Sequence, residues 1–317
     1  MRFVGKRLAA TILTLFLVSA LSFSAFRLIP GDAALLSLGT EASEDQIESL
    51  RQEMGLDKSF PEQYLSWLGK LITGRLGNSA RFRGASISGM ILERLPVTLS
   101  LALLSFFLII IIAVPVSVLS VKKENSLTDR SVNSLTALGV SMPGFFLGIL
   151  FIWIFGILLR LFVPGAFTDH PESRTGFLGY LFFPALAIAL PNAALLVKFL
   201  RSSIFHEFRS DYVRTARSKG GGRSRILISH VLKNASLPSI TLLGMITGEI
   251  LSGSIVIEQV FGIPGIGRLL LASISARDYP MIQTLIIYIA FAVIFANTLA
   301  DIVLQIVDPR IRLSEKA

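Results

Sequence analysis

The sequence predicts an all-α, polytopic membrane protein with six transmembrane helices and a helical extracytoplasmic segment after the first. Three observations carry that expectation. The 317 residues are 52% hydrophobic but only 16% charged, with a mean hydropathy of +0.68, whereas a soluble domain is about 45–50% apolar and about 25% charged. Six stretches are long and apolar enough to cross a hydrocarbon core of about 30 Å, which takes about 20 helical residues. Lys and Arg are shared unevenly between alternate loops. The absence of cysteine excludes disulfide frameworks, thiolate zinc sites and cysteine nucleophiles.

The spans are Leu8–Phe26, Val97–Val121, Val132–Leu159, Leu178–Val197, Ile240–Val260 and Met281–Val307. Arg2, Lys6 and Arg7 before the first run resemble the start of a signal peptide, but the run is long and no A-x-A site follows, so it reads as an uncleaved span. The expected division is an N-terminal span at 1–29, an extracytoplasmic segment at 30–96, a five-helix core at 97–307 containing an inner loop at 201–238, and a tail at 308–317. Positive charge sets the orientation. With both termini inside, the inner segments hold 18 of the 30 Lys and Arg and six acids, and the outer side holds 13 acids. The net charge of +9 is therefore a property of one membrane face, which argues against nucleic acid as its partner.

In the outer segment, Pro30-Gly31-Asp32 breaks the first span. Ser43 is placed to cap a helix with acids in its first turn, followed by Ile47, Leu50 and Met54 at helical spacing and a stop at Gly55. Phe60-Pro61 opens a second helix with Tyr64, Leu65 and Leu68 on one face. A segment this small has no large core of its own, so it is expected to lean on the spans or on an outer partner.

The inner loop is the most informative stretch. Ile204, Phe205, Phe208, Tyr212 and Ala216 trace one apolar helix face, with Arg209, Arg214, Arg217 and Lys219 beside it. Gly220-Gly221-Gly222 ends that helix. A second amphipathic stretch, Leu227 to Ala235, leads to Pro238, where the fifth span is expected to begin. Two short amphipathic helices joined by a turn make a docking platform, and a small residue such as Ala216 would let a partner approach closely. A basic face lying on anionic lipid is the competing reading. A phosphate loop is disfavoured, because no G-x-x-x-x-G-K-[ST] occurs in the chain. The missing nucleotide motif points to an energy source on another chain.

Asp211-Tyr212-Val213-Arg214-Thr215-Ala216-Arg217-Ser218-Lys219-Gly220 resembles the cytoplasmic EAA loop of ABC importer permeases, more narrowly the dipeptide, oligopeptide and nickel permease family. His230 to Pro238 is similar to that family's continuation into the fifth span. Arg27-Leu28-Ile29-Pro30-Gly31-Asp32, Glu53-Met54-Gly55-Leu56-Asp57, Gln63-Tyr64, Glu93 to Leu99, Phe261 to Arg268, Ala276-Arg277-Asp278-Tyr279-Pro280 and Asp308-Pro309-Arg310 extend the resemblance over nearly the whole chain. The chain departs from the general pattern where Arg214 or Asp211 stands for the leading Glu, where Thr215 replaces the first Ala, and at Gly221-Gly222.

The resemblance implies a type I ABC importer permease fold in a bacterial inner membrane. It implies a second permease subunit, a paralogue or a copy, together with two cytoplasmic ABC ATPases holding ATP and magnesium, and an extracytoplasmic binding protein. The pore subunit itself would be no enzyme and hold no cofactor or metal. Asp211, Tyr212, Arg214, Thr215, Ala216, Arg217, Lys219 and Gly220 are then the expected ATPase-coupling residues. The substrate class is peptides or a related small solute, nickel or a metal chelate included.

Ionisable residues within spans are costly and default to function. Glu249 and Ser252 in the fifth span, and Asn297 and Asp301 four apart in the sixth, are candidates for the translocation pathway. Pro143-Gly144 divides the third span, and Pro184 and Pro191 are expected to break or kink the fourth. Gly244, Gly248 and Gly253 would permit close packing of the fifth. Glu258, Phe261, Pro264 and Gly265 fall at a tight outer loop, Gly262–Gly267, read as a gate at the mouth. His170, His206 and His230 do not pair at ligand spacing, so no metal site is expected. A membrane enzyme lacks any H-E-x-x-H or G-x-S-x-G here. A secondary transporter or channel would suit six spans and Glu249 but needs no inner docking loop.

Overall fold

The structure, a computed structural model, describes residues 2–27, 35, 43–54, 58–79, 81–82, 84–165, 167 and 174–307. The expectations placed on 28–32, Gly55, His170 and the tail 308–317 lie outside the described residues, as do the side chains of Leu50 and Met54.

Among the described residues the chain is helical, apart from one antiparallel bridge between Asn78 and Ser86. The helices are α1 (Arg2–Arg27), α2 (Glu44–Met54), α3 (Phe60–Ile72), α4 (Ile87–Lys122), α5 (Leu127–Ser141), α6 (Gly144–Leu158), α7 (Arg174–Glu207), α8 (Asp211–Ser218), α9 (Arg223–Phe261), α10 (Ile266–Ala276) and α11 (Tyr279–Val307). Five are long and apolar enough to cross a bilayer, or six if α5 and α6, bent by 100° to one another, count together as one span. The bend falls at Pro143. Met142 before it is extended, with φ −91° and ψ 122°, because a proline ring disfavours the helical conformation of the preceding residue.

Three sequence expectations about helix ends change. Pro184 and Pro191 lie inside a continuous α7. Pro238 lies inside α9, which starts fifteen residues earlier at Arg223 and passes through a π-helical turn at Leu227–Val231. The second amphipathic stretch of the inner loop is therefore the first part of the fifth span helix. The third change is at Gly262–Gly267, where the tight loop is shorter than expected and ends at Gly265. Gly262 (φ 71°) closes α9, its N–H bonding Gln259 O at 3.3 Å and that of Ile263 bonding Glu258 O at 2.8 Å, the paired bonds of a Schellman cap. Gly265 then starts α10, whose Ile266, Leu269, Leu270 and Ser273 are buried at helical spacing.

Packing divides the chain into two compact units, Met1–Leu99 with Pro264–Ile294, and Ser100–Ile263 with Phe295–Ala317. In the first, Ser43 caps α2 as expected: Gln46 N–H bonds Ser43 Oγ at 3.3 Å and Gln46 Oε1 accepts Ser43 N–H at 3.1 Å. α3 leans on α1 through Phe16, Ser19 and Phe23. Tyr64 is buried there, whereas Leu65 is 65% exposed, so α1 covers only part of the apolar face of α3. Farther on, a buried polar knot joins distant parts of this unit. Ser79 donates its hydroxyl to Asp278, and both side chains are buried. Asp278 also accepts the Met281 N–H at 3.3 Å, capping α11. Arg277, at φ 56°, closes α10, and Thr98 Oγ1 accepts the Ile266 N–H at 2.8 Å to hold the start of that helix.

In the second unit α7 is central, with α5, α6 and α9 packed on it. Small residues set the spacing. Ala185, Ala187, Ala189, Ala193 and Ala194 are buried on α7. A Cβ at Gly139 would lie 2.8 Å from Ala194 Cβ, and one at Gly244 would lie 2.6 Å from Ala300 Cβ. Gly253, by contrast, has open space where a Cβ would go and takes no part in close packing.

Removing the Asp278 carboxylate takes away a helix cap and leaves the buried Ser79 hydroxyl proton without its acceptor, a loss of about 2 kcal/mol. Asp278→Ala is expected to lower the apparent Tm of the purified protein in detergent, while Asp211→Ala, at an exposed position, leaves it unchanged.

Candidate functional site

The candidate coupling residues fall on α8 and its C-terminal turn. The expected single helix from Ile204 to Ala216 is two helices: α7 ends at Glu207, and α8 begins at Asp211 after the turn Phe208–Ser210. Ser210 sits at the N-cap, and Asp211 places a carboxylate in the first turn, favourable at that end of the helix. At the other end Gly220 has φ +82°. Its N–H bonds Arg217 O at 2.9 Å, and the Gly221 N–H bonds Ala216 O at 3.2 Å. Glycine is needed at 220 for the left-handed conformation. It is needed at 221 for space, since a Cβ there would lie 2.9 Å from the Ala216 carbonyl oxygen.

This short helix has two different faces. Val213 is buried in a cluster with Val121, Leu200, Ile204, Ile226, Leu227, Val231 and Ala235, and Tyr212 and Ala216 pack against the same cluster. Ala216 is half-buried, one side of it against this cluster. Tyr212 donates its hydroxyl to Glu207 at 2.7 Å. Burial, and next the Glu207 carboxylate, push the phenol pKa above its ordinary value, with Asn234 as an opposing neighbour. On the other side Asp211, Arg214, Thr215 and Ser218, at helical spacing, are all exposed. The Asp211–Arg214 pair is 4.0 Å apart with side chains 98% and 85% exposed, so it contributes little to stability. Arg217 and Lys219 are exposed beside this face, and the Arg217 guanidinium lies 6.0 Å from the Phe208 ring.

Around α8 the neighbouring helix ends are braced by ion pairs that no sequence periodicity announces. Asp129, on the first turn of α5, accepts the Ser120 hydroxyl of α4 at 2.5 Å and two bonds from Arg201 of α7 at 3.2 Å each. Arg223 of α9 pairs with Glu124 at 2.6 Å. Hence α4, α5, α7 and α9 are tied together at the end where α8 packs on the Val213 cluster.

The candidate pathway residues separate by exposure. Glu249 and Ser252 are exposed and belong to a stripe along α9, Thr241, Met245, Glu249, Ser252, Val256 and Gln259. Asn297 and Asp301 are half-buried on α11. The equivalent exposed stripe of α4 is Leu103, Phe107, Ile111, Pro115 and Leu119, with no polar side chain. Of the candidate outer-loop residues, Glu258 and Phe261 are buried in the second unit, and the Phe261 carbonyl accepts the Tyr180 hydroxyl at 3.1 Å. Its ring stacks with Phe162 in an aromatic group that includes Phe183 and Phe155. Gly265 is buried and Pro264 half-buried in the first unit. There, Arg81, Ser275, Ala276 and Arg277 line an open depression of about 420 Å³.

Breaking one side of the Asp129 brace leaves a charge in a poorly solvated place, which costs about 3 kcal/mol or more. Arg201→Ala is expected to lower the apparent Tm, and the double variant Asp129→Ala/Arg201→Ala to recover part of the loss.

Comparison with known proteins agrees with the family resemblance of the sequence. Residues 113–313 match the family described as binding-protein-dependent transport system inner membrane component, and residues 1–102 match the N-terminal region of the same membrane component. A putative peptide transport system permease protein of Brucella abortus (strain 2308) is 38% identical over 307 residues, covering 97% of this chain and 98% of the relative. A putative peptide permease protein of Brucella ovis is 35% identical over 320 residues, covering 99% and 100%. An oligopeptide transport system permease protein of Bacillus subtilis (strain 168) is 34% identical over 311 residues, covering 98% of each. With a match along both family regions and helices that span a bilayer, the chain belongs to the inner-membrane permease components of binding-protein-dependent ABC importers, a non-enzymatic subunit whose ATPase is a separate chain.

Proposed function

We propose that this permease conducts peptides, and that the exposed stripe of α9 is its side of the path. The observation that carries this is the contrast between two spanning helices. The exposed stripe of α4 from Leu99 to Leu119 is apolar, as a lipid-facing surface requires, whereas that of α9 carries Thr241, Glu249, Ser252 and Gln259. A carboxylate facing hydrocarbon is costly, so a stripe of this kind belongs against a water-filled cavity or a partner subunit. A second permease subunit, a paralogue or a copy, would close the path. Glu249 is then the group that meets the ammonium terminus of a peptide, and Asn297 and Asp301 lie deeper along the route. The names of the relatives from Brucella and Bacillus support peptides as the substrate class.

The coupling reading rests on α8. Its Asp211, Arg214, Thr215 and Ser218 face meets the groove of a cytoplasmic ATPase, one of two that bind ATP with magnesium, with Arg217 and Lys219 at the rim. Tyr212, Ala216 and Gly220 keep the helix rigid on its mount, so closure of the ATPase pair is passed on as a rigid-body push. The excess of Lys and Arg on this side supports a cytoplasmic location for α8 and both termini. Substrate arrives from an extracytoplasmic binding protein at the opposite side.

Two experiments test these assignments. Glu249→Gln is expected to slow uptake of peptides with a free amino terminus by about tenfold or more, the worth of one charge-assisted hydrogen bond, with N-acetylated peptides unaffected; equal effects on both would remove the amine role. Reversing charge on the exposed face with Arg214→Glu and Thr215→Glu is expected to abolish co-purification of the ATPase and uptake at unchanged Tm. Wild-type association would remove α8 as the docking element.

A further inference from the structure

We infer that α3 lies in the plane of the membrane surface, sunk into the bilayer beside α1, with its Leu65, Leu68 and Ile72 side on lipid acyl chains. The sequence of α3 is segregated all round. Trp67, Phe60, Leu71, Tyr64, Leu68, Pro61, Ile72 and Leu65 follow one another across one continuous arc of the helix, and Gly69, Glu62, Ser66, Lys70 and Gln63 fill the other. That is the pattern of an interfacial helix.

The structure uses only one edge of the apolar arc. Phe23 of α1 has its ring centroid 5.5 Å from Phe60, 5.5 Å from Tyr64 and 5.3 Å from Trp67. Phe60 and Trp67 are about 10 Å apart along α3 at 1.5 Å per residue, yet both reach Phe23. Tyr64 between them reaches on to Phe16, at 6.0 Å, and bonds Ser19 Oγ at 2.7 Å. Contacts arranged in this way mean that α3 crosses α1 rather than running along it.

The depth follows from the same contacts. The apolar span of α1 is Arg7–Phe26. Phe23, Ser19 and Phe16 precede its end by distances of about 5, 10 and 15 Å along the helix axis. A helix crossing at Phe23 with a side chain reaching to Phe16 is below the hydrocarbon boundary, so water does not cover its remaining apolar side. On that side Leu65 is 65% and Ile72 76% exposed. α1 itself presents Ile12, Leu13, Leu17 and Leu21 outward, and lipid is the continuous surface that both helices share. Glu62, Ser66 and Lys70 on the opposite arc face the headgroups, where a lysine extends readily to water. The role of α3 is then to clasp the otherwise little-buried α1 at the bilayer surface.

Because the chain has no cysteine, a single cysteine is its only thiol, and the partner subunits are used in cysteine-free form. The assembled transporter is reconstituted in phosphatidylcholine–phosphatidylglycerol nanodiscs. Nitroxide labels are then placed singly by Leu65→Cys, Ile72→Cys, Glu62→Cys and, as an aqueous reference on α2, Glu44→Cys. Collision rates with oxygen, which partitions into lipid, are compared with those of a water-soluble nickel chelate. The expected result is several-fold more oxygen than chelate accessibility at 65 and 72, with the reverse at 44 and 62. Chelate accessibility at 65 and 72 equal to that at 44 would overturn the inference by placing α3 in water. Low accessibility to both probes would overturn it by placing protein, a second subunit or the binding protein, on this face. All four positions are exposed, so the labels leave the fold intact.

Discussion

A backbone inside hydrocarbon has no water to bond, so each N–H and C=O must find its partner within its own helix or against protein. That constraint explains where this chain bends and where it does not. α7 runs unbroken through Pro184 and Pro191, and α9 through Pro238, because one lost hydrogen bond costs less than an open turn in lipid. Among the described residues the sharp break between apolar helices, at Met142–Pro143, is covered: the second unit packs α5 and α6 onto α7 on either side of it. The helix ends are closed by local devices for the same reason. Gly220, Gly262 and Arg277 all take up left-handed conformations and return their N–H groups to the preceding turn.

With the helices fixed in this way, small side chains decide how near they come. Ala185 to Ala194 on α7, Gly139 on α5 and Gly244 on α9 bring backbones close where no hydrophobic effect drives association. The result is a closely packed second unit, on which α8 is mounted. α8 is only eight residues long, too short to be stable alone. It holds its shape because Val213 is buried and Tyr212 is bonded to Glu207. Its outward residues contribute almost nothing to that mounting, and so are available to a partner.

The exposed surfaces of the spanning helices carry the remaining information. Outward stripes on α4 and α11 are apolar, while that of α9 is mixed. In a soluble protein exposed polar residues would be unremarked, but in a membrane protein they distinguish lipid from pathway or partner. The outer segment shows the converse case, where an exposed apolar side on α3 falls below the end of its neighbouring span.

Much of this was legible in the chain itself. Hydropathy located the spans, since about 20 apolar residues are a one-dimensional signal. Pro143 and Gly220 marked breaks, because a missing N–H or a left-handed turn is a property of one residue type. The segment 211–220 carried the family resemblance in its own residues. Tertiary structure decided what depends on distant partners: Asp129 with Arg201, 72 residues on, and Ser79 with Asp278, 199 residues on. It also joined 223–261 into one helix, buried Tyr64 while leaving Leu65 exposed, and set one side of Ala216 against the Val213 cluster. The buried spacing of Ile266, Leu269, Leu270 and Ser273 was a readable sign of α10, obscured by the glycines before it. Local sequence fixes which conformations a segment can adopt, but which face of it meets protein, lipid or a partner is set by packing between residues far apart in the chain.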